Sequence, residues 1–124
     1  MSKSNTFEND LLKLIFNNVD IADIGDAGGI QNSASAGSLY VALHTADPGE
    51  AGDATTNETA YTNYARVAVA RSGAGWTVSG NAVTNFAQVT FPECGVTGAT
   101  ITYASITTDS SGASKILYSG ALSS

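Results

Sequence analysis

The stretch Ser38–Arg71, SLYVALHTADPGEAGDATTNETAYTNYARVAVAR, decides how this chain is read. Leu39 to Leu43 is an apolar run bounded by polar residues, and it reads as a strand over Ser38–His44. A Gly-rich acidic loop follows, with Asp47, Pro48, Gly49, Glu50, Gly52, Asp53 and Glu58. Tyr64–Arg71 then alternates: Ala65, Val67 and Val69 share one face, and Tyr64, Arg66, Ala68 and Ala70 share the other. Two strands joined by a long loop without a catalytic partner set suit display or docking.

Downstream, the same grammar continues. Gly75–Ser79, Phe86–Phe91, Thr100–Thr107 and Lys115–Gly120 read as strands. Turn signals separate them at Asp47-Pro48-Gly49, Ser72-Gly73, Ser79-Gly80-Asn81, Pro92 to Gly98 and Asp109 to Gly112. Phe86, Val89 and Phe91 do not alternate cleanly, which points to a bulge there. Many short strands with frequent turns predict a mainly β fold, a jelly-roll-like β-sandwich or barrel, over residues 38–124.

Upstream, Phe7, Leu11, Leu14 and Ile15 fall at helical spacing, with Leu12 and Phe16 widening the stripe. This predicts an N-terminal α-helix over 6–18, capped by Asn5 or Thr6. So broad an apolar stripe on so short a helix needs covering by the domain or by a neighbour. Between helix and first strand, 20–37 (DIADIGDAGGIQNSASAG) reads as an extended surface loop that Ile21, Ile24 and Ile30 can anchor.

A chain of 124 residues is long enough for one domain, 1–124, with its own core. The formal net charge is −6, and the five cations Lys3, Lys13, Arg66, Arg71 and Lys115 form no run. Phosphate recognition rests on clustered Lys and Arg, so neither nucleic acid nor an anionic membrane surface is an expected partner. No apolar run reaches the about 20 residues needed to span a bilayer, and MSKSNTFEND lacks the apolar centre of a signal peptide. The lone Cys94 leaves no intrachain disulfide and fits a reducing compartment. The sequon at Asn57-Glu58-Thr59 is a chance match on that basis.

Single motifs point away from catalysis. His44, the one histidine, has Asp47 close by as an orienting carboxylate, but no serine stands in a nucleophile-elbow pattern. A histidine bonded to backbone at a strand end is the preferred reading. Asp47, Glu50, Asp53 and Glu58 miss the spacing of a calcium loop. Ser72-Gly73-Ala74-Gly75 lacks the Gly-Lys-Ser/Thr of a phosphate loop and precedes a strand, so it reads as a turn. Cys94 has no cation near it in sequence to activate it. Trp76, Tyr61, Tyr64 and Tyr103 suit core packing, or else a sugar- or protein-binding platform. No catalytic, metal-binding or cofactor-binding residue is expected, and no cofactor.

FENDLLKLIFNN, SLYVALHTADPGEAG, NETAYTNYARVAVAR and GWTVSGN together resemble a family of small tailed-bacteriophage virion proteins, over nearly the whole chain. Members of that family are often labelled tail-fibre-like, and others resemble capsid cementing or decoration proteins. The resemblance implies a non-enzymatic virion protein. The first expectation is a decoration protein on the capsid exterior that cements major capsid protein subunits, as a homo-oligomer (dimer or trimer), made in the host cytoplasm. Bridging of several subunits would raise avidity by about 10²–10⁴. The alternative is a tail or tail-fibre-associated structural protein. Partner contacts are expected from Phe7, Leu11, Phe16, Ile21 and Ile24, and from Asp47, Glu50, Asp53 and Glu58. The 20–37 insert departs from shorter relatives, which pass almost directly from helix to strand.

Overall fold

A computed structural model describes residues 1–123. The order of elements is α1 (Asn5–Asn17), β1 (Ser38–His44), β2 (Val67–Ala70), β3 (Trp76–Ser79), β4 (Ala82–Asn85), β5 (Tyr103–Thr107) and β6 (Ile116–Ala121). The fold is mainly β with an N-terminal helix. The strands form a four-stranded sheet, order β2-β1-β5-β6, and a two-stranded hairpin, β3-β4. The barrel form of the expectation fails, because the four-stranded sheet keeps two edges and does not close on itself. Six strands among the described residues also fall short of the eight of a jelly roll.

The chain forms two compact units. The first comprises Met1–Ser38 and Ala70–Gln88; the second comprises Leu39–Val69 and the chain from Val89 onward.

In the first unit, α1 starts one residue earlier than the stripe suggested. The cap is Ser4, not Asn5 or Thr6: its Oγ accepts from Phe7 N–H at 3.3 Å, and its carbonyl accepts from Glu8 N–H at 2.9 Å. Asn18 ends the helix in a left-handed conformation (φ 58°), and Val19 N–H reaches back to the Lys13 carbonyl at 3.2 Å. Phe16 is fully buried and meets Trp76 edge-on, with ring centroids 5.0 Å apart. No cation lies in the last helical turn. Arg71 supplies one from elsewhere in the unit, donating to the Ile15 and Leu14 carbonyls at 2.7 Å each, where the helix end carries partial negative charge.

The β3-β4 hairpin turns through Gly80 and Asn81, with Gly80 at φ 60° as so tight a turn requires. β4 went unread in the sequence, and the strand expected at Phe86–Phe91 does not form. Past the Phe86 N–H, which donates to the Gly75 carbonyl at 2.9 Å, those residues have no alternating face to bury, and Phe86 is 67 % exposed.

The 20–37 segment is a loop, as read. Ile21 and Ile30 exchange two backbone hydrogen bonds, at 2.9 and 2.8 Å, and so pinch it shut. Gly29 makes this approach possible: a Cβ there would lie 1.9 Å from the Ile21 carbonyl oxygen. Asn18 and Asp20 clamp the open end by accepting from Ser33 N–H and Asn32 N–H, both at 2.8 Å.

In the second unit, β1 pairs antiparallel with β5 (Tyr40↔Thr107, Ala42↔Ser105, His44↔Tyr103), and β5 pairs antiparallel with β6. Ala42, His44, Ser105 and Thr107 therefore share one face, and all four are buried. Val41, Leu43, Ala104 and Ile106 share the other, half-buried face. The β5-β6 register slips after Ile106, leaving Leu117 as an extra residue on β6. β2 is shorter than the alternation of Tyr64–Arg71 implied, because Tyr64 and Arg66 are drawn off to hold the preceding loop.

Candidate functional site

The segment between β1 and β2 is built inward from Arg66, a nearly buried cation. Arg66 donates through Nε and Nη2 to the two oxygens of Glu58, at 2.7 and 2.8 Å. Nη1 donates to the Asp109 carbonyl at 3.0 Å and to Ser114 Oγ at 3.1 Å, and Nη2 donates also to the Gly112 carbonyl at 2.8 Å. All five N–H groups of the guanidinium are thus used. The Glu58 carboxylate holds Arg66 more firmly in its charged form. The Tyr64 hydroxyl donates to Glu58 Oε1 at 2.9 Å and accepts from Leu43 N–H at 3.0 Å. Burial is the main force keeping this phenol protonated above the ordinary tyrosine range. One ion pair therefore ties the loop, the edge of β1 and the 109–114 turn together.

The other acids have separate duties. Asp47 Oδ1 accepts from Gly49 N–H at 2.9 Å and shapes the turn at Pro48. Asp53 Oδ1 accepts from the Thr55 hydroxyl at 2.6 Å and from Thr55 N–H at 2.8 Å. Those bonds, the hydroxyl first, lower the Asp53 pKa. Gly52 sits where a Cβ would lie 2.1 Å from the Pro48 carbonyl oxygen. Among the described residues, no three His, Cys, Asp or Glu side chains converge as a metal site. Glu50 is exposed on the rim of a groove beside β6.

Of the nine residues expected to contact partners, Phe16 (0 % exposed) and Ile21 (4 %) are buried within the first unit, and Glu58 is committed to Arg66. An amphipathic stripe identifies a face that is covered, and here the molecule itself covers its central part. Leu11 is half-buried, Phe7 is 36 % exposed and Ile24 is 41 % exposed. Asp47 and Glu50 are exposed, and Asp53 is half-buried. Sequence reasoning named Arg66 and Tyr64 but did not join either of them to Glu58. The signal was there: a rare cation sits on a strand face beside a tyrosine and two alanines, eight residues after a glutamate.

His44 is fully buried. Its Nδ1 donates to the Thr56 carbonyl at 2.9 Å, and its Nε2 lies 2.7 Å from Ser105 Oγ. The spacing imitates a nucleophile–base pair, but both side chains are enclosed, Ser105 at 2 % exposure. The pair pins β1 to β5 and to the loop. Tyr61 and Tyr64 meet edge-on at 5.3 Å, and Tyr64 stacks on Phe91 at 6.4 Å. Tyr61, Asn63, Tyr64, Ser110 and Ser111 help to line an open cleft of about 520 Å³. Trp76 does not join them, since it is packed on Phe16 in the first unit. Cys94 is exposed, and its thiol faces the Thr97 carbonyl at 3.4 Å. Among the described residues, no helix is long and apolar enough to cross a membrane.

Open antiparallel sheets, a capped helix and loops fastened by one ion pair and by hydrogen bonds define a small mainly β protein. The family described as Podophage GP4 fiber I protein gp80 matches residues 2–124, so the chain belongs to that family of phage virion proteins. No curated protein and no solved structure matches it significantly.

Proposed function

We propose that this protein is a structural part of a phage tail fibre and works by holding other proteins, without turning over a substrate. The match to a fibre family over residues 2–124 carries this reading. It favours the tail-fibre alternative over capsid decoration, so the major capsid protein is replaced as the proposed partner by other fibre or tail components. Two structural features support a passive role. The reactive-looking pair, His44 and Ser105, is sealed in the sheet, and the Glu58–Arg66 charges are spent on each other. The net charge of −6, with scattered cations, disfavours nucleic acid as a partner.

Immunogold labelling of intact virions with an antibody to this chain tests the proposal. Label on fibres, with adsorption lost and head stability kept in particles lacking the protein, is the expected result. Label over the head shell, with heads that become heat-sensitive without it, would restore the capsid reading.

A further inference from the structure

Two tyrosines of the second unit stand at a cleft that the ion pair floors but does not fill. Residues 58–66 form one side and the Ser110–Gly112 turn forms the other, around about 520 Å³. That volume falls within the about 300–1,000 Å³ of small-molecule sites. The charged side chains of the lining, Glu58 and Arg66, neutralise each other. An ion entering the cleft therefore finds no net charge to attract it.

The turn from Tyr61 to Tyr64 closes with Tyr64 N–H donating to the Tyr61 carbonyl at 2.9 Å. Asn63 takes the left-handed corner at φ 77°, which asparagine tolerates, and is exposed. Both rings are held in place before any ligand arrives. The Tyr61 hydroxyl donates to the Pro92 carbonyl at 2.8 Å, while Tyr64 is fixed by Glu58, Leu43 and the Phe91 ring. Rings so fixed lose little freedom on binding. Asn63, Ser110 and Ser111 are exposed, and their side chains bond to no other described residue. Thr59, 4 % exposed, adds a hydroxyl without a partner. Glu58 accepts two hydrogen bonds from Arg66 and one from Tyr64, whereas a carboxylate has about four acceptor sites. The open site lies on Oε2, and the Glu58 side chain remains 16 % exposed.

We propose that this cleft binds a neutral saccharide. A pyranose carries an apolar C–H face and a rim of uncharged hydroxyls. The face suits the rigid ring of Tyr61, and the rim suits an amide, hydroxyls and a carboxylate oxygen that still lack partners. One sugar hydroxyl donates to Glu58 Oε2, and others exchange hydrogen bonds with Asn63, Ser110 and Ser111. A phosphate or an acidic sugar finds no free cation, because all five Arg66 N–H groups are already used. Extended peptides are read through a sheet edge or through apolar pockets. This lining is instead rich in uncharged hydroxyl and amide groups.

A glycan array carrying neutral and acidic saccharides, probed with the purified chain, tests this independently of where the protein sits in the virion. Retention by neutral glycans is expected. Heteronuclear NMR titration with a retained neutral trisaccharide, carried to about 20 mM so that a millimolar Kd is visible, should move the amides of Tyr61, Asn63, Tyr64, Ser110 and Ser111 saturably. A proline-rich peptide serves as the control. Tyr61→Ala should weaken binding about tenfold, and Tyr61→Phe, which keeps the ring, should hold it within about twofold. Asn63→Gly keeps the left-handed corner and loses the amide, so binding should fall about fivefold. Unchanged circular dichroism would show that the variants are folded. An array that retains the chain on no neutral glycan or prefers acidic ones, amide shifts with the peptide alone, or a Tyr61→Ala chain that binds as well as the parent would overturn the proposal.

Discussion

Arg66 shows how one residue organises many. Its guanidinium reaches one carboxylate, one hydroxyl and two carbonyls, so truncation strands several buried groups together. Glu58→Gln leaves the cation without a counter-charge, and urea unfolding should show a loss of about 3 kcal/mol. Arg66→Lys should fare little better, because an ammonium with three donors cannot match a fork with five. Tyr64 gives the pH signature of the same cluster. Its folded-state pKa is raised, so the stability it contributes is complete below the ordinary tyrosine value of about 10 and declines as pH climbs above it. Thermal melts from pH 8 to 11 should show this decline, and Tyr64→Phe should flatten it. That variant also gives up about 1 kcal/mol at neutral pH by unpairing Leu43 N–H. At this scale the sequence was partly legible. It marked Glu58 as notable for its charge but not for its partner, since the two are joined by a fold-back that no local pattern encodes.

Among elements, α1 and β1 were readable because each carries its own period, and β1 was placed to the residue. β4 was not, since Ala82–Asn85 offers one half-buried valine and takes its identity from pairing with β3. Phe86–Phe91 misled for the opposite reason, being apolar without a face. The first unit depends on the contact between α1 and β3. Phe16→Ala removes a fully buried ring from against Trp76, and chemical denaturation followed by tryptophan fluorescence should report a loss of about 4 kcal/mol. Ser4→Ala, at an exposed cap, should cost only about 0.5 kcal/mol.

For the whole molecule, two compact units imply local stabilities that separate. Arg71 tests this, because its side-chain bonds all fall inside the first unit. Hydrogen exchange on Arg71→Ala should show lost protection at the end of α1 and around Ser33, and unchanged protection along the β1–β5–β6 ladder. The mainly β class was legible at this scale from turn spacing, whereas the division into an open four-stranded sheet and a separate hairpin was not. Strand order and edge closure depend on long-range pairing, which composition does not carry.

The single sulfhydryl at Cys94 stands on the surface of the second unit. Maleimide chemistry on the purified chain will therefore attach one fluorophore, biotin or gold cluster per polypeptide without engineering, so the dye count of a complex rebuilt from it gives the number of copies.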